Sequence, residues 1–379
     1  MGIIQITAVG DISFEGRNAE HPNQEVFSAV APLLKNADIS IGNLENPLID
    51  SGVPVPGKCT LHGHTGWADV LKASGFTVMS LANNHMMDYG QSGITSTLRA
   101  LSEAGLSFVG AGMNEAEALA PLIVEIKTKK LALLARSSVE VASHCYAKGG
   151  EPGVAHLDLD ELSVTSRRLR NEVDYIILCI HWGLEEYSLP TIRQRKEAFT
   201  LISSGFDCII GHHPHVLQGI EIINKKPVLY SLGNFKFDDF TWQYKNLENQ
   251  VINLHIKPSI QNRIGLIVAL ELNNENITIK DKVTTYYGFD NSMVCQRPPT
   301  NDGNKIERLS NTFNIPFYNF RWRFYSIRKE WEIRIGHNLS PIKVVKKFSK
   351  IRLYHIKMMF RSIITSFRIV LGKSTNPYE

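Results

Sequence analysis

The stretch Asp207-Cys208-Ile209-Ile210-Gly211-His212-His213-Pro214-His215 constrains this chain more than any other. A short apolar run stops at a glycine, and three imidazoles follow within four residues. The run has the length of a buried strand, and Gly211 is where such a strand turns into its loop. Each buried imidazole needs its own partner, so three packed this tightly make poor core filler. They make good ligands for a borderline metal, or catalytic groups. Loops at the carboxyl ends of parallel strands are where α/β folds place their chemistry.

The same arrangement recurs along the chain. Residues 3–9 read as a first strand running into Gly10-Asp11-Ile12-Ser13, where Asp11 is either a metal ligand or the cap of the next turn. Residues 24–35 have a helical pattern, and 39–41 lead to Gly42-Asn43-Leu44-Glu45. Glu45 could bind metal, while Asn43 could bind it through its carbonyl or orient a neighbour. A strand at 76–81 delivers Asn83, Asn84, His85 and Asp88. An amide oxygen can complete a metal shell without adding charge, a histidine can protonate a leaving oxygen, and an aspartate can hold that histidine's other nitrogen. Residues 175–180 are again continuously apolar and end at His181-Trp182-Gly183, with Glu185 and Glu186 close behind. Helices are expected near 67–74, 96–104, 160–171 and 192–203, a hairpin at 122–135, and a closing antiparallel pair at 264–272 and 276–287. His62 and His64 sit in a Pro/Gly-rich loop and rank below these residues, as substrate contacts. Summed, the pattern is an alternating β/α body with its polar loops gathered at one sheet edge.

Composition narrows the class. The chain has 379 residues, 43% hydrophobic and 21% charged, which fits a globular protein of one large domain or two. No charge-free apolar stretch is long enough to span a bilayer. The first motif at Gly10-Asp11 leads us to expect no signal peptide, and five cysteines without a CxxC pair read as free thiols in a reducing compartment. No P-loop or complete dinucleotide fingerprint is present.

The ordered set Gly10-Asp11, Asn43-Leu44-Glu45, Asn83-Asn84-His85 with Asp88-Tyr89-Gly90, His181-Trp182-Gly183, Gly211-x-His213-Pro214-His215 and Tyr230-Ser231-Leu232-Gly233-Asn234-Phe235 resembles the CapA family. These are capsule or poly-γ-glutamate biosynthesis proteins related in fold to calcineurin-like metallophosphoesterases. The resemblance runs over about residues 3–290. It implies an α/β metallophosphatase-like αββα sandwich of two packed mixed sheets flanked by helices. It also implies one or two divalent ions (Mn, Zn, Fe or Mg), with Asp11, Asn84, His181, His213 and His215 as ligands beside the candidate Glu45. His85 is then the catalytic histidine, supported by Asp88. Asn43, Asn83, Glu186 and Asn234 are candidates to contact substrate or orient the ligands. His212 falls where the family reserves no histidine. Two departures from the phosphoesterase pattern stand out: Ser13 replaces a histidine, and Asn43 replaces a bridging aspartate.

The first 316 residues hold 27 Lys+Arg and 34 Asp+Glu, whereas residues 317–379 hold 14 and 3. Residues 291–316 read as a linker between a body at 1–290 and a basic helical tail at 317–379. Within the tail, Leu353, Ile356, Phe360, Ile363, Phe367 and Val370 form a helical stripe flanked by Lys and Arg. It suits an anionic membrane, a partner in a synthesis complex, or docking on the body; no nucleic-acid readout motif accompanies it. The expected function is metal-dependent hydrolysis of a phosphoester or amide bond in a cell-surface polymer or its precursor, by a cytoplasmic protein whose tail could hold it at the inner membrane face. The alternative is a non-catalytic metal-binding subunit of a membrane-associated polymer synthesis complex.

Overall fold

The computed structural model describes residues 2–16, 19–138, 145–245, 251–273, 276–288, 292–296 and 303–335. Two sheets carry the architecture. In the first, the parallel strands Ile4–Ile12, Ile39–Leu44, Val78–Ser80 and Ser107–Val109 continue through Ile264–Asn273, Asn276–Tyr287 and Met293–Gln296, which run antiparallel. In the second, Lys129–Ser137, Tyr175–His181, Cys208–His212 and Lys226–Leu229 are parallel neighbours, with Leu122–Ile126 and Ile220–Ile223 antiparallel at the two edges.

The side-chain period of two explains why the second sheet reads as continuous apolar runs. Leu131, Leu133, Ala135, Ile177, Cys179, Cys208 and Ile210 point to the first sheet and share one core with Ile6, Ala8 and Val268. Their neighbours Ala132, Leu134, Ile176, Leu178, Ile180 and Ile209 point the other way, against Leu162, Leu169, Ala198 and Leu201 of helices Leu159–Leu169 and Ile192–Ser204. The first sheet is covered on its outer side by helices that include Trp67–Ser74 and Gly90–Glu103, which bury Trp67, Leu71, Ile94 and Leu101. The molecule is thus the expected two-sheet sandwich flanked by helices.

One crossing segment stitches the two sheets together at their carboxyl edges. The backbone at residues 230–234 passes from the second sheet to the first: Leu232 N donates to Gly211 O at 3.3 Å and Asp11 N donates to Gly233 O at 2.9 Å. The crossing depends on two glycines. A Cβ on Gly10 would lie 1.9 Å from Gly233 O, and one on Gly211 would lie 2.1 Å from Tyr230 O. Strand Asn234–Lys236 then pairs with the end of Ile4–Ile12, placing Asn234 opposite Asp11.

Several local expectations change. Residues 24–35 split into a 3-10 turn, Gln24–Phe27, and a short helix, Ala31–Lys35, because Pro32 starts a new helix rather than continuing one. The helix expected from Ser96 begins at Gly90. The segment 291–316, expected as a linker, contains helix Gly303–Asn311, whose Leu309 backbone packs over Gly219 while Ser310 Oγ accepts from Ile220 N at 2.9 Å. Helix Tyr318–Ile335 is likewise seated on the body through buried Tyr318 and Trp322. The stripe from Leu353 to Val370 lies outside the described residues. No helix among the described residues is long and apolar enough to cross a membrane.

Candidate metal centre

Six strand-end loops converge where the two sheet edges meet. Asp11 and Asn43 are register partners on adjacent strands, and His181 pairs in register with His212 on the second sheet. Asp11 and Glu45 are both fully buried. The amide of Asn43 lies between them, with Nδ2 donating to Asp11 Oδ1 at 2.9 Å and to Glu45 Oε2 at 2.5 Å. Among the described residues, no lysine or arginine pairs with either carboxylate. Three histidines face them instead. His181 Nε2 lies 3.5 Å from Glu45 Oε1, His215 Nδ1 3.5 Å from Asp11 Oδ2, and His215 Nε2 3.9 Å from Glu45 Oε1. Candidate ligand atoms of Asp11, Glu45 and His181 fall within 4.8 Å of one another, as do those of Glu45, His213 and His215. Asn84 joins the first group, its Oδ1 2.8 Å from His181 Nε2. All six predicted ligands therefore meet in one place, with Glu45 shared by both groups.

The electrostatics of this cluster call for a cation. Burial, and after it the charge of Asp11, push the Glu45 carboxyl well above the usual range. Burial, and then the other histidines, push His181 and His213 well below theirs, so their imidazoles are neutral and can act as ligands. Glu45 Oε1 and His213 Nδ1 are buried without a hydrogen-bond partner, and such orphaned atoms are rare in native folds. His181 Nε2 faces only acceptors, Asn84 Oδ1 and Glu45 Oε1, so without metal it keeps a proton that a divalent ion would replace. Two buried carboxylates, three imidazoles and an amide oxygen form a donor set that fits a divalent metal ion.

The residues around the cluster hold it in shape. Asn234 Oδ1 accepts from His215 Nδ1 at 2.8 Å, leaving Nε2 as the ligand atom. Asn234 Nδ2 donates to Asn262 O at 2.8 Å, and Asn262 Nδ2 donates to His215 O at 3.2 Å and to Glu186 Oε1 at 2.5 Å. Glu186 thus acts through Asn262 rather than at the cluster. Asn83 links the first-sheet loops, donating to Leu44 O at 2.7 Å and to Asn43 Oδ1 at 3.2 Å. His213 and His215 take left-handed backbone angles, φ +96° and +56°, and Asp11 Oδ2 accepts from His213 N at 3.1 Å. Strain of this kind persists where surrounding contacts over-determine it.

His85 stands beside the ligands. Its Nδ1 lies 2.7 Å from Asp88 Oδ2, which also accepts from Leu61 N at 2.7 Å. Sequence reasoning missed two residues. Lys58 forms an ion pair with Asp88 and donates to Asn84 O at 2.6 Å, and Asn262 organises the second-sheet loops. Both come from loops without a motif, so only their tertiary placement reveals them. His212 donates Nε2–H to Val9 O at 3.1 Å, tying one sheet to the other. His62 is held between Glu15 and Glu20, at 2.9 Å each, while His64 lies 3.5 Å from Asp50; neither joins the cluster.

Residues 5–239 match the model of the bacterial capsule synthesis protein PGA_cap. The capsule biosynthesis protein CapA of Bacillus anthracis is 32% identical over 267 residues, 67% of this chain and 64% of that protein. The chain thus matches just under two thirds of that relative's length. The PGA biosynthesis protein CapA of Bacillus subtilis is 32% identical over 263 residues, 67% of this chain and 68% of that one. Among solved structures, the NAD nucleotidase of Haemophilus influenzae aligns over 83% of this chain and 57% of its own, at 12% identity and a TM-score of 0.41. With its motif loops inside the matched span, this chain belongs to the PGA_cap family of bacterial capsule synthesis proteins, the CapA-like proteins of capsule and polyglutamate biosynthesis.

Proposed function

We propose that this chain is a metal-dependent hydrolase acting on a phosphoester or amide bond in a cell-surface polymer or its precursor. The observation that carries this reading is a pair of fully buried carboxylates, Asp11 and Glu45, facing the imidazoles of His181, His213 and His215, with the His85–Asp88 pair alongside. Asp11, Glu45, Asn84, His181, His213 and His215 would hold one or two ions. When bound, a divalent ion supplies water that ionises near neutral pH and polarises the scissile group. Asn43 ties the two carboxylates together, and Asn234 keeps His215 in the tautomer that presents Nε2. Asp88 fixes His85 through Nδ1, so its Nε2 is the atom that can deliver a proton to the leaving group. Lys58 neutralises Asp88 and anchors the backbone of Asn84.

A second reading is a metal-binding subunit without turnover. It is favoured by Asn43, a neutral amide committed to both carboxylates where a phosphoesterase would have a bridging aspartate. Cys59, Cys145, Cys179 and Cys208 are free thiols. The two readings separate in elemental analysis of the purified protein run beside a hydrolysis screen of phosphoesters and γ-glutamyl peptides. We expect bound transition metal, metal loss in His213→Ala and His215→Ala, and full metal content without turnover in His85→Ala. Equal metal loss in all three variants would contradict the assigned roles. Metal without turnover on any substrate favours the second reading.

A further inference from the structure

Helix Tyr318–Ile335 has two unlike faces. The inner face grips the loop that follows His181: Tyr318 Oη donates to Pro190 O at 2.6 Å, and Tyr325 Oη accepts from Ser188 N at 2.7 Å. Tyr187 Oη donates to Glu330 Oε1 at 3.1 Å, and Trp322 is fully buried. The outer face carries Phe317, Phe320 and Phe324, which are 82%, 51% and 50% exposed. Phe320 and Phe324, four apart in the helix, lie on one side and their rings meet edge to face at 4.7 Å, while Phe317, φ +63°, stands just ahead of the first turn. Arg321 and Arg328 are exposed on the same side, at the intervening three-and-four positions. A ridge of three large aromatics left in water on a well-seated helix marks an interaction surface.

Charge decides what covers the ridge. Arg321 and Arg328 border it, and Glu332 is bonded to Arg328 at 2.8 Å. The remainder of this chain, residues 336–379, has nine Lys+Arg against one Glu, so like charge disfavours folding it back over the ridge. An anionic surface suits both the ridge and the basic residues C-terminal to it. We propose that the outer face of helix Tyr318–Ile335 docks on an anionic lipid bilayer. The three Phe rings enter the headgroup boundary, and Arg321 and Arg328 pair with lipid phosphates. The inner face then holds the metal centre's loop at a set distance from that surface. This inference is independent of whether the centre turns over substrate.

The test is sedimentation of the full chain with phosphatidylcholine vesicles and with mixed phosphatidylcholine–phosphatidylglycerol vesicles. Binding is expected to the mixed vesicles, and to weaken with salt as the screening length falls from about 10 Å at 0.1 M to about 3 Å at 1 M. The variant F317S/F320S/F324S should bind at least about tenfold more weakly, with unchanged melting temperature and metal content, because the rings it removes are exposed. R321Q/R328Q should lose on the order of tenfold at low salt and little at high salt. Three results would overturn the proposal. They are equal binding by the triple variant and the parent, no preference for the anionic vesicles, and a triple variant whose oligomeric mass differs from the parent's without lipid. The last outcome would assign the ridge to a second copy of the chain or to another protein surface.

Discussion

Replacing Glu45 by Gln should make the metal-free protein more stable and the metal-loaded protein less stable. Glu45 is fully buried, its Oε2 accepts from Asn43, and its Oε1 has no donor. At neutral pH the unloaded fold must therefore either hold the Glu45 carboxylate charged in a buried site beside Asp11 or bind a proton. Each unit by which burial raises the carboxyl pKa corresponds to about 1.4 kcal/mol. Glutamine keeps the shape and the Asn43 contact, and its amide can donate toward the neighbouring acceptors. A gain of about 1–2 kcal/mol in chelator is expected, roughly 1–3 °C in melting temperature for a chain of this size. With metal the order inverts. An ion present at a hundred times its Kd stabilises the parent by about 2.7 kcal/mol, and the variant loses most of this because Glu45 belongs to both ligand groups. The pH dependence has a definite sign. A carboxyl raised above its ordinary 4.5 contributes stability that is complete below 4.5 and lost as pH rises through the folded value. In chelator the variant's advantage should therefore shrink toward pH 4.5 and widen toward neutrality. Thermal melts of both proteins, in EDTA and in Mn²⁺ or Zn²⁺, test this. A variant that melts below the parent by the same margin in both conditions would show that Glu45 is an ordinary hydrogen-bonded side chain, and the reasoning would fail.

Two further outcomes concern the frame around the centre. Hydrogen bonding to Glu15, and with it Glu20, holds His62 up at about 9 against the ordinary 6.5, so its contribution is complete below pH 6.5 and lost as pH rises through 9. A shift of that size corresponds to about 3 kcal/mol, reduced by screening because Glu20 is half exposed; His62→Gln should flatten the stability profile between pH 6.5 and 9 in chemical denaturation. Gly10→Ala and Gly211→Ala should each cost about 3 kcal/mol or more, because the added methyl meets backbone oxygens that cannot move without parting the two sheets. Melting temperatures near the parent's would contradict the crossing geometry.

Much of this protein is legible in its residues. Apolar runs that end in Gly or a polar turn define the strand ends, and Asp11, Glu45, Asn84, His181 and His213 each follow such a run, so a shared sheet edge predicts their meeting. Asn114 capping helix Glu115–Leu119 and the hairpin of Leu122–Ile126 with Lys129–Ser137 are local signals of the same kind, set by side chains within a few residues. The segment 24–35 misleads because a 3.6-residue period persists across a break that Pro32 introduces. The tertiary structure alone decides what the chemistry-bearing side chains do once they meet. Nothing near Lys58 in the chain marks it as the partner of Asp88, 30 positions away, and nothing near Asn262 marks it as the hub between Glu186, Asn234 and His215. His212 and His213 are adjacent in the chain and both imidazoles. Yet one is spent on the carbonyl of Val9 and the other faces the carboxylates, because successive strand residues point to opposite faces and a left-handed turn redirects the second. The long-range packing that seats helix Tyr318–Ile335 likewise turns an apparent tail into a brace, since the tyrosines that grip the body and the phenylalanines that face outward are indistinguishable by composition and differ only in which side of the helix they occupy.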